Sequence, residues 1–174
     1  DFTQAFQMYD RQIAFSECLN VTPELSRYFE WLYSCAGENR LGTKQVLSTS
    51  GGNQGCPLAL YGFCLVLRAF CKWLHEAEPE LMASLNLLCW YVDDGVGIAD
   101  VSTLVNLLRV IAAHGPRYGL FLNLEKCEVY WPDNNSECPE LPDLIKRPKN
   151  GIDLLGTPLL GSVDYIRSRI QRRM

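Results

Sequence analysis

Apolar residues along this 174-residue chain recur at helical spacing in some stretches and run together or alternate in others. Residues 1–5 read as the tail of a strand running into a helix that ends near Leu19. Thr22 followed by Pro23 predicts a helix start, a side-chain cap and then a proline whose missing N–H costs nothing there. Leu25, Phe29 and Leu32 follow at helical spacing, and Gly37 reads as the stop. Residues 40–50 read as an extended, hairpin-like stretch ending in a Gly51-Gly52 turn, and a long apolar helix runs from Gly55 to about His75. Residues 85–90 and 96–99 predict two strands joined by the tight acidic turn Tyr91-Val92-Asp93-Asp94-Gly95. A helix follows, with Asp100 as its cap and Val101, Leu104, Val105, Leu108 and Ile111 on one face; Gly115-Pro116 ends it. Residues 120–123, 128–131 and 152–155 read as strands, and the tail from Val163 as a helix made basic by Arg167, Arg169, Arg172 and Arg173. Helices and strands mix without a regular βαβ repeat, so the expected class is α+β.

Composition narrows the picture. Hydrophobic residues make up 48%, enough for a real core, and the length suits one domain. A disordered tail, a collagen-like fibre and a disulfide miniprotein are excluded. Lys and Arg number 16 against 20 Asp and Glu, a net charge of -4. That balance argues against a self-sufficient basic nucleic-acid binder, though not against an enzyme whose basic surfaces lie on other segments. The chain opens at Asp1, with neither an initiator Met nor a signal pattern, and reads as a piece of a longer protein. Its longest apolar runs, residues 56–67 and 81–92, fall short of the roughly 18 residues that span a bilayer. Pro57 and Gly62 lie in the first, which reads as a buried core helix, and no membrane partner is expected.

The eight cysteines, at 18, 35, 56, 64, 71, 89, 127 and 138, form no CxxC pair, and His75 and His114 stand alone. Zinc sites normally need paired ligands at short spacing, so most of these thiols, which sit in apolar company, read as small buried hydrophobes, free and reduced. Free thiols imply an intracellular protein.

The acidic turn carries the sharpest chemical signal. Asp93 and Asp94 are adjacent in a tight turn flanked by Leu87-Leu88-Cys89-Trp90 and Val96-Gly97-Ile98, which would anchor it against a core. Two carboxylates held together repel unless a cation or basic group sits nearby. Such a pair suits Mg²⁺, a hard ion that takes one or two carboxylates plus substrate phosphates. Taken alone, Asp-Asp-Gly is also an ordinary hairpin turn, because Asp and Gly are favoured there.

Four further words accompany it, in order: Asp1-Phe2-Thr3-Gln4-Ala5-Phe6, Gly52-Asn53-Gln54-Gly55-Cys56-Pro57-Leu58, Gly119-Leu120-Phe121-Leu122-Asn123-Leu124-Glu125-Lys126-Cys127, and Leu154-Leu155-Gly156. Together with the acidic turn they resemble the palm motifs of reverse transcriptases, RNA-directed DNA polymerases, and most closely those of non-LTR, LINE-like retroelements. The resemblance covers nearly the whole chain, with its five motifs at residues 1–6, 51–60, 90–96, 119–128 and 152–158. It implies an α+β right-hand polymerase palm, an antiparallel sheet with packed helices, with fingers and thumb largely missing.

The resemblance also implies roles. Asp1 and Asp93 would hold two Mg²⁺ ions, with Mn²⁺ able to substitute; the Phe2 carbonyl would be a further ligand and Asp94 a support. Phe6 would fill the space of a ribose 2′-hydroxyl and so exclude ribonucleotides, although an aromatic at a helix start is also ordinary core. Gln54 would contact the incoming nucleotide and template, and Gly55 would let the backbone approach closely. Lys126 matches the lysine of the fourth motif, a candidate proton donor to leaving pyrophosphate, and any surface lysine would look the same. Tyr91 would lie beneath the primer terminus, and Leu155-Gly156 resembles the hairpin that grips the primer end. The basic tail would continue toward a thumb, or form a solvated helix face. Ala59-Leu60 stands where the family often has Ser-Pro, a departure that removes no chemical group.

The implied partners are an RNA template, a primer strand, dNTPs, and fingers and thumb segments of the same polypeptide, in the nucleus or cytoplasm. Two other readings stay open. One is the palm of an RNA-dependent RNA polymerase, which an aromatic at position 6 disfavours; the other is an inactive, retroelement-derived interaction domain.

Overall fold

The computed structural model describes residues 1–53, 55–131 and 141–172, and the chain divides into two compact units, Phe2–Leu122 and Asp1 with Asn123–Met174. The class is α+β: helices with small antiparallel sheets, each of two strands.

In the first unit a short helix α1 (Ala5–Met8) gives way to α2 (Arg11–Val21). One continuous helix to Leu19 is therefore a misreading. Asp10 breaks it, because its carboxylate accepts hydrogen bonds from the amides of Gln12 (2.8 Å) and Ile13 (2.9 Å) and starts a new helix. Helix α3 (Pro23–Tyr33) begins where Thr22-Pro23 places it, but the Thr22 hydroxyl makes no capping bond and meets the Tyr61 hydroxyl instead. Gly37 is not its stop. It opens β1 (Gly37–Leu41), which pairs antiparallel with β2 (Lys44–Ser48) around Gly42.

Helix α4 (Pro57–Ala77) is the centre of the core, burying Phe63, Val66, Phe70 and Leu74 completely. It packs on α2, whose buried Ala14 and Cys18 sit one helical turn apart on the same face. Gly62 makes room on α4 for Tyr9 and for Phe29 of α3, since a Cβ there would lie 2.5 Å from the Tyr9 hydroxyl and 3.1 Å from the Phe29 ring. By length and composition α4 could cross a membrane, being longer than the apolar run read from sequence, but a buried core helix passes the same test.

A short helix α5 (Pro79–Ser84), which the apolar reading of residues 81–92 conceals, leads into β3 (Leu87–Tyr91) and β4 (Asp94–Ile98). Helix α6 (Val101–His114) buries Val105, Leu107 and Ile111, with Leu104 and Leu108 only half covered. Asp100 precedes it without a capping bond. A 3₁₀ turn, Gly115–Tyr118, ends it, and Gly119 (φ +73°) brings the chain against α1 so closely that a Cβ would sit 2.0 Å from the Met8 carbonyl oxygen. The expected strand at 120–123 is reduced to a single antiparallel bridge between Phe2 and Leu122, with the Thr3 amide donating to the Phe121 carbonyl at 2.7 Å.

In the second unit the expected strand at 128–131 is likewise one bridge, Glu128 to Lys146. Strands β5 (Gly151–Leu154) and β6 (Thr157–Gly161) form a hairpin, and α7 (Val163–Gln171) packs on β6. Gly151 makes room for the Tyr165 ring, which lies 2.4 Å from where its Cβ would be. The seven described cysteines are all free thiols, but the buried role expected for most of them holds only for Cys18. Cys56, Cys71 and Cys127 are half-buried. Cys35, Cys64 and Cys89 are exposed, because Cys35 falls in the bend after α3 and the other two on solvent-facing positions of α4 and β3. Cys138 lies outside the described residues.

Candidate functional site: the acidic hairpin and the glycine loop

Tyr91 and Asp94 are the last pair of the β3/β4 ladder, so Val92 and Asp93 form its two-residue turn. Val92 has φ +59° while Asp93 does not have a positive φ, the sign pattern of a turn that favours glycine at its first central position. A β-branched residue held there is strained, by roughly 1–2 kcal/mol. The surroundings hold it in place: Val92 packs against the core, and the hairpin is pinned behind it. Trp90 lies over Gly95, where a Cβ would meet its ring at 2.3 Å, and the Phe2 ring stacks on Trp90.

The turn presents Asp93 and Asp94 half-exposed, and neither carboxylate forms an ion pair among the described residues. Tyr91 stands beside them, 65% exposed. A rigid pair of unneutralised carboxylates offers the hard oxygen donors that Mg²⁺ takes, so these residues fit the ion. Among the described residues no group of three or more His, Cys, Asp or Glu side chains is placed to hold a metal ion.

Phe2 is buried, and Phe6 is half-buried with its ring tilted against Phe63 at 5.4 Å. The core role expected as the ordinary alternative for Phe6 is thus present. In the second unit Asp1 and Lys126 come together, Oδ2 to Nζ, at 3.4 Å. The Asp1 carbonyl there accepts from the Asn123 amide at 3.0 Å. Gly156 (φ +73°) follows Leu155 (φ +49°) at the β5/β6 tip, beside a cleft of about 740 Å³ lined by Lys149, Asp153, Tyr165 and Arg169. Asp153 is occupied there, accepting from the Tyr165 hydroxyl at 2.8 Å and ion-paired to Arg169.

The glycine loop lies between β2 and α4. Gly51 and Gly52 donate from their amides to the carbonyls of Tyr9 (2.8 Å) and Phe6 (2.7 Å), and a Cβ on Gly51 would sit 2.2 Å from the Gln7 carbonyl carbon. Gly55 has φ +94°, a conformation open to glycine, with nothing described within 4 Å of its Cβ direction. Gln54, the expected nucleotide contact, lies outside the described residues. Cys56 precedes α4. Burial pushes its thiol up, but the Tyr33 hydroxyl, donating to Sγ at 3.1 Å, and the amides of Leu58 and Ala59 outweigh burial and hold its pKa below the ordinary 9.0. Tyr9 is fully buried, its hydroxyl has no hydrogen-bond partner among the described residues, and burial pushes its pKa up to about 12 against the opposing charge of Arg11.

Sequence reasoning missed Arg11. Its guanidinium donates to Gly51, Ser48 and Ser50, all in the segment that enters the glycine loop. Main-chain acceptors forty residues away leave no sequence pattern, so only its charge inside an otherwise apolar helix face could have drawn notice.

Set against protein-family models, curated proteins and solved structures, the chain finds no match.

Proposed function

We propose that the chain is the palm of an RNA-directed DNA polymerase of the non-LTR retroelement type. The observation that carries the reading is the acidic hairpin: two half-exposed carboxylates, without an ion pair among the described residues, on a strained turn anchored by Trp90 and Phe2. Strain and unneutralised charge at one place are unfavourable for a merely structural turn, and a site that takes a divalent ion accounts for both. The ordered motif words add the rest of the reading.

In this reading Asp93 and Asp94 are the hairpin carboxylates that would hold Mg²⁺, and the motif resemblance alone would add Asp1 and the Phe2 carbonyl to the set for two ions. When bound, the ions supply activation of the primer 3′-hydroxyl and stabilise the departing pyrophosphate. Tyr91 offers an exposed ring to the primer terminus. Phe6, fixed against Phe63, limits the volume open to a ribose 2′-hydroxyl. Lys126 supplies a positive charge beside Asp1 and a proton for the leaving pyrophosphate. The β5/β6 tip, with Leu155 and Gly156, meets the primer strand.

Primer extension on an RNA template with Mg²⁺ tests this, for the chain alone and joined to fingers and thumb segments, with dNTPs against ribonucleotides. DNA synthesis abolished by Asp93→Asn is expected. Equal use of ribonucleotides contradicts the role of Phe6 and favours an RNA polymerase. Extension by neither form of a folded protein contradicts the polymerase reading and favours an interaction domain.

A further inference from the structure

Arg11 directs its guanidinium at four main-chain carbonyls and one hydroxyl. Nε donates to the Gly51 carbonyl at 2.7 Å, Nη1 to the carbonyls of Ser48 (3.0 Å) and Cys35 (3.4 Å), and Nη2 to Ser48 Oγ (2.9 Å) and the Ser50 carbonyl (3.1 Å). No carboxylate pairs with it among the described residues. A partly buried cation without a counter-ion is costly, and its charge is spread instead over carbonyl dipoles. The same guanidinium lies over the Tyr33 ring, 5.3 Å from its centroid, and Tyr33 in turn donates to Cys56 at the start of α4. The Cys56 amide closes the loop on the Asn53 carbonyl at 3.0 Å.

We infer that Arg11 is the positioning residue of the nucleotide loop: by direct bonds at Ser48, Ser50 and Gly51, and through Tyr33 at Cys56, it holds the chain on either side of Gly52, Asn53 and Gly55. This rests on the polymerase reading for the identity of the ligand, a Mg²⁺-bound deoxynucleoside triphosphate. The clamp itself rests on geometry alone. Gly51 and Gly52 are also held by their amides on Tyr9 and Phe6, whereas Gly55 (φ +94°) has nothing described within 4 Å of its Cβ direction, and a loop that wanders there binds triphosphate with a conformational penalty. Lysine cannot replace the fork. It offers one point of donation where five bonds in a plane are needed.

The experiment compares the wild-type chain with Arg11→Lys by hydrogen exchange across residues 48–56 and by calorimetric titration with Mg²⁺-dTTP, alongside thermal unfolding. Exchange in 48–56 is expected to rise about tenfold in Arg11→Lys while peptides from α4 and β3/β4 keep their protection, and dTTP affinity is expected to fall about tenfold, one such factor being about 1.4 kcal/mol. Ser48→Ala, which removes one acceptor and no charge, gives a smaller change in the same direction and serves if Arg11→Lys does not fold. Unchanged exchange in 48–56 overturns the clamp. Raised exchange with unchanged dTTP affinity overturns its role in nucleotide binding. A wild-type chain that does not bind dTTP overturns that role too, and exchange raised in the variant then marks the polymerase reading, not the clamp, as the part that failed.

Discussion

The ring of Phe2 lies stacked on the indole of Trp90, 5.1 Å between centroids and 13° from parallel, and the opposite neighbour of that indole is Gly95 on the facing strand. The acidic turn therefore has a three-part base. Phe2, directly after Asp1 in sequence, holds Trp90, and Trp90 holds the strand pair that carries Asp93 and Asp94.

That base predicts a coupled pair of substitutions. Phe2→Ala removes a ring only 2% exposed and is expected to cost about 3–5 kcal/mol in urea unfolding. Gly95→Ala drives a methyl into the indole and is expected to cost about 1–3 kcal/mol. In the Phe2→Ala background the indole has room to shift, so Gly95→Ala costs less there than in the wild type.

Leu155 gives the opposite expectation. It is 53% exposed with φ +49°, followed by Gly156 at +73°, the two positive angles of a type I′ hairpin turn. Leu155→Asn places Asn-Gly in the turn that prefers it and is expected to raise stability by about 1 kcal/mol, read as a higher urea midpoint at unchanged slope. In the polymerase reading the same substitution lowers primer extension, since the exposed leucine is lost.

Stability at high pH follows from burial. Tyr9 is raised from 10.0 to about 12 and Cys71 from 9.0 to about 11, each chiefly by desolvation. A raised folded-state value means that the neutral form is favoured by folding. That contribution is complete below pH 9 for Cys71 and below pH 10 for Tyr9, and is lost as pH climbs to about 11 and about 12. Tyr9→Phe is expected to unfold less steeply with pH above 10, and at pH 7 to be as stable as wild type or up to about 2 kcal/mol more so, because the hydroxyl it removes is buried and has no hydrogen-bond partner among the described residues.

Cys56 behaves in the opposite sense. Its depressed value means that folding favours the thiolate, a contribution present above pH 9 and lost as pH falls through the folded-state value. At pH 8 iodoacetamide is expected to alkylate Cys56 faster than Cys71, whose thiol burial raises. Tyr33→Phe removes the donor to Sγ and slows the reaction at Cys56 alone, as peptide mass analysis would show.

Local signals made much of the fold legible. Thr22-Pro23, Gly115-Pro116 and the acidic turn each mark a boundary within a residue or two of the structure, because proline, glycine and turn residues act on their own backbone. The break at Asp10 was missed because apolar periodicity runs through it, and only the amides of Gln12 and Ile13 reveal the cap. Residues 120–123 and 128–131 look like strands by alternation, yet pairing depends on a partner far along the chain, and each finds only one bridge. At the candidate site the carboxylates and glycines were visible as residue types. The Phe2–Trp90 stack, the Asp1–Lys126 pair and the Arg11 clamp were not, since contacts across long sequence separations leave no spacing to read.

Mn²⁺ binding, followed by electron paramagnetic resonance and competed with Mg²⁺, tests the central claim most directly, in the wild-type chain and in Asp93→Asn and Asp94→Asn. Mn²⁺ that Mg²⁺ displaces, with binding weakened at least tenfold by Asp93→Asn and to a lesser degree by Asp94→Asn, is the predicted result. Binding that both substitutions leave unchanged, or no binding by the folded wild type, contradicts a divalent-ion site at the hairpin.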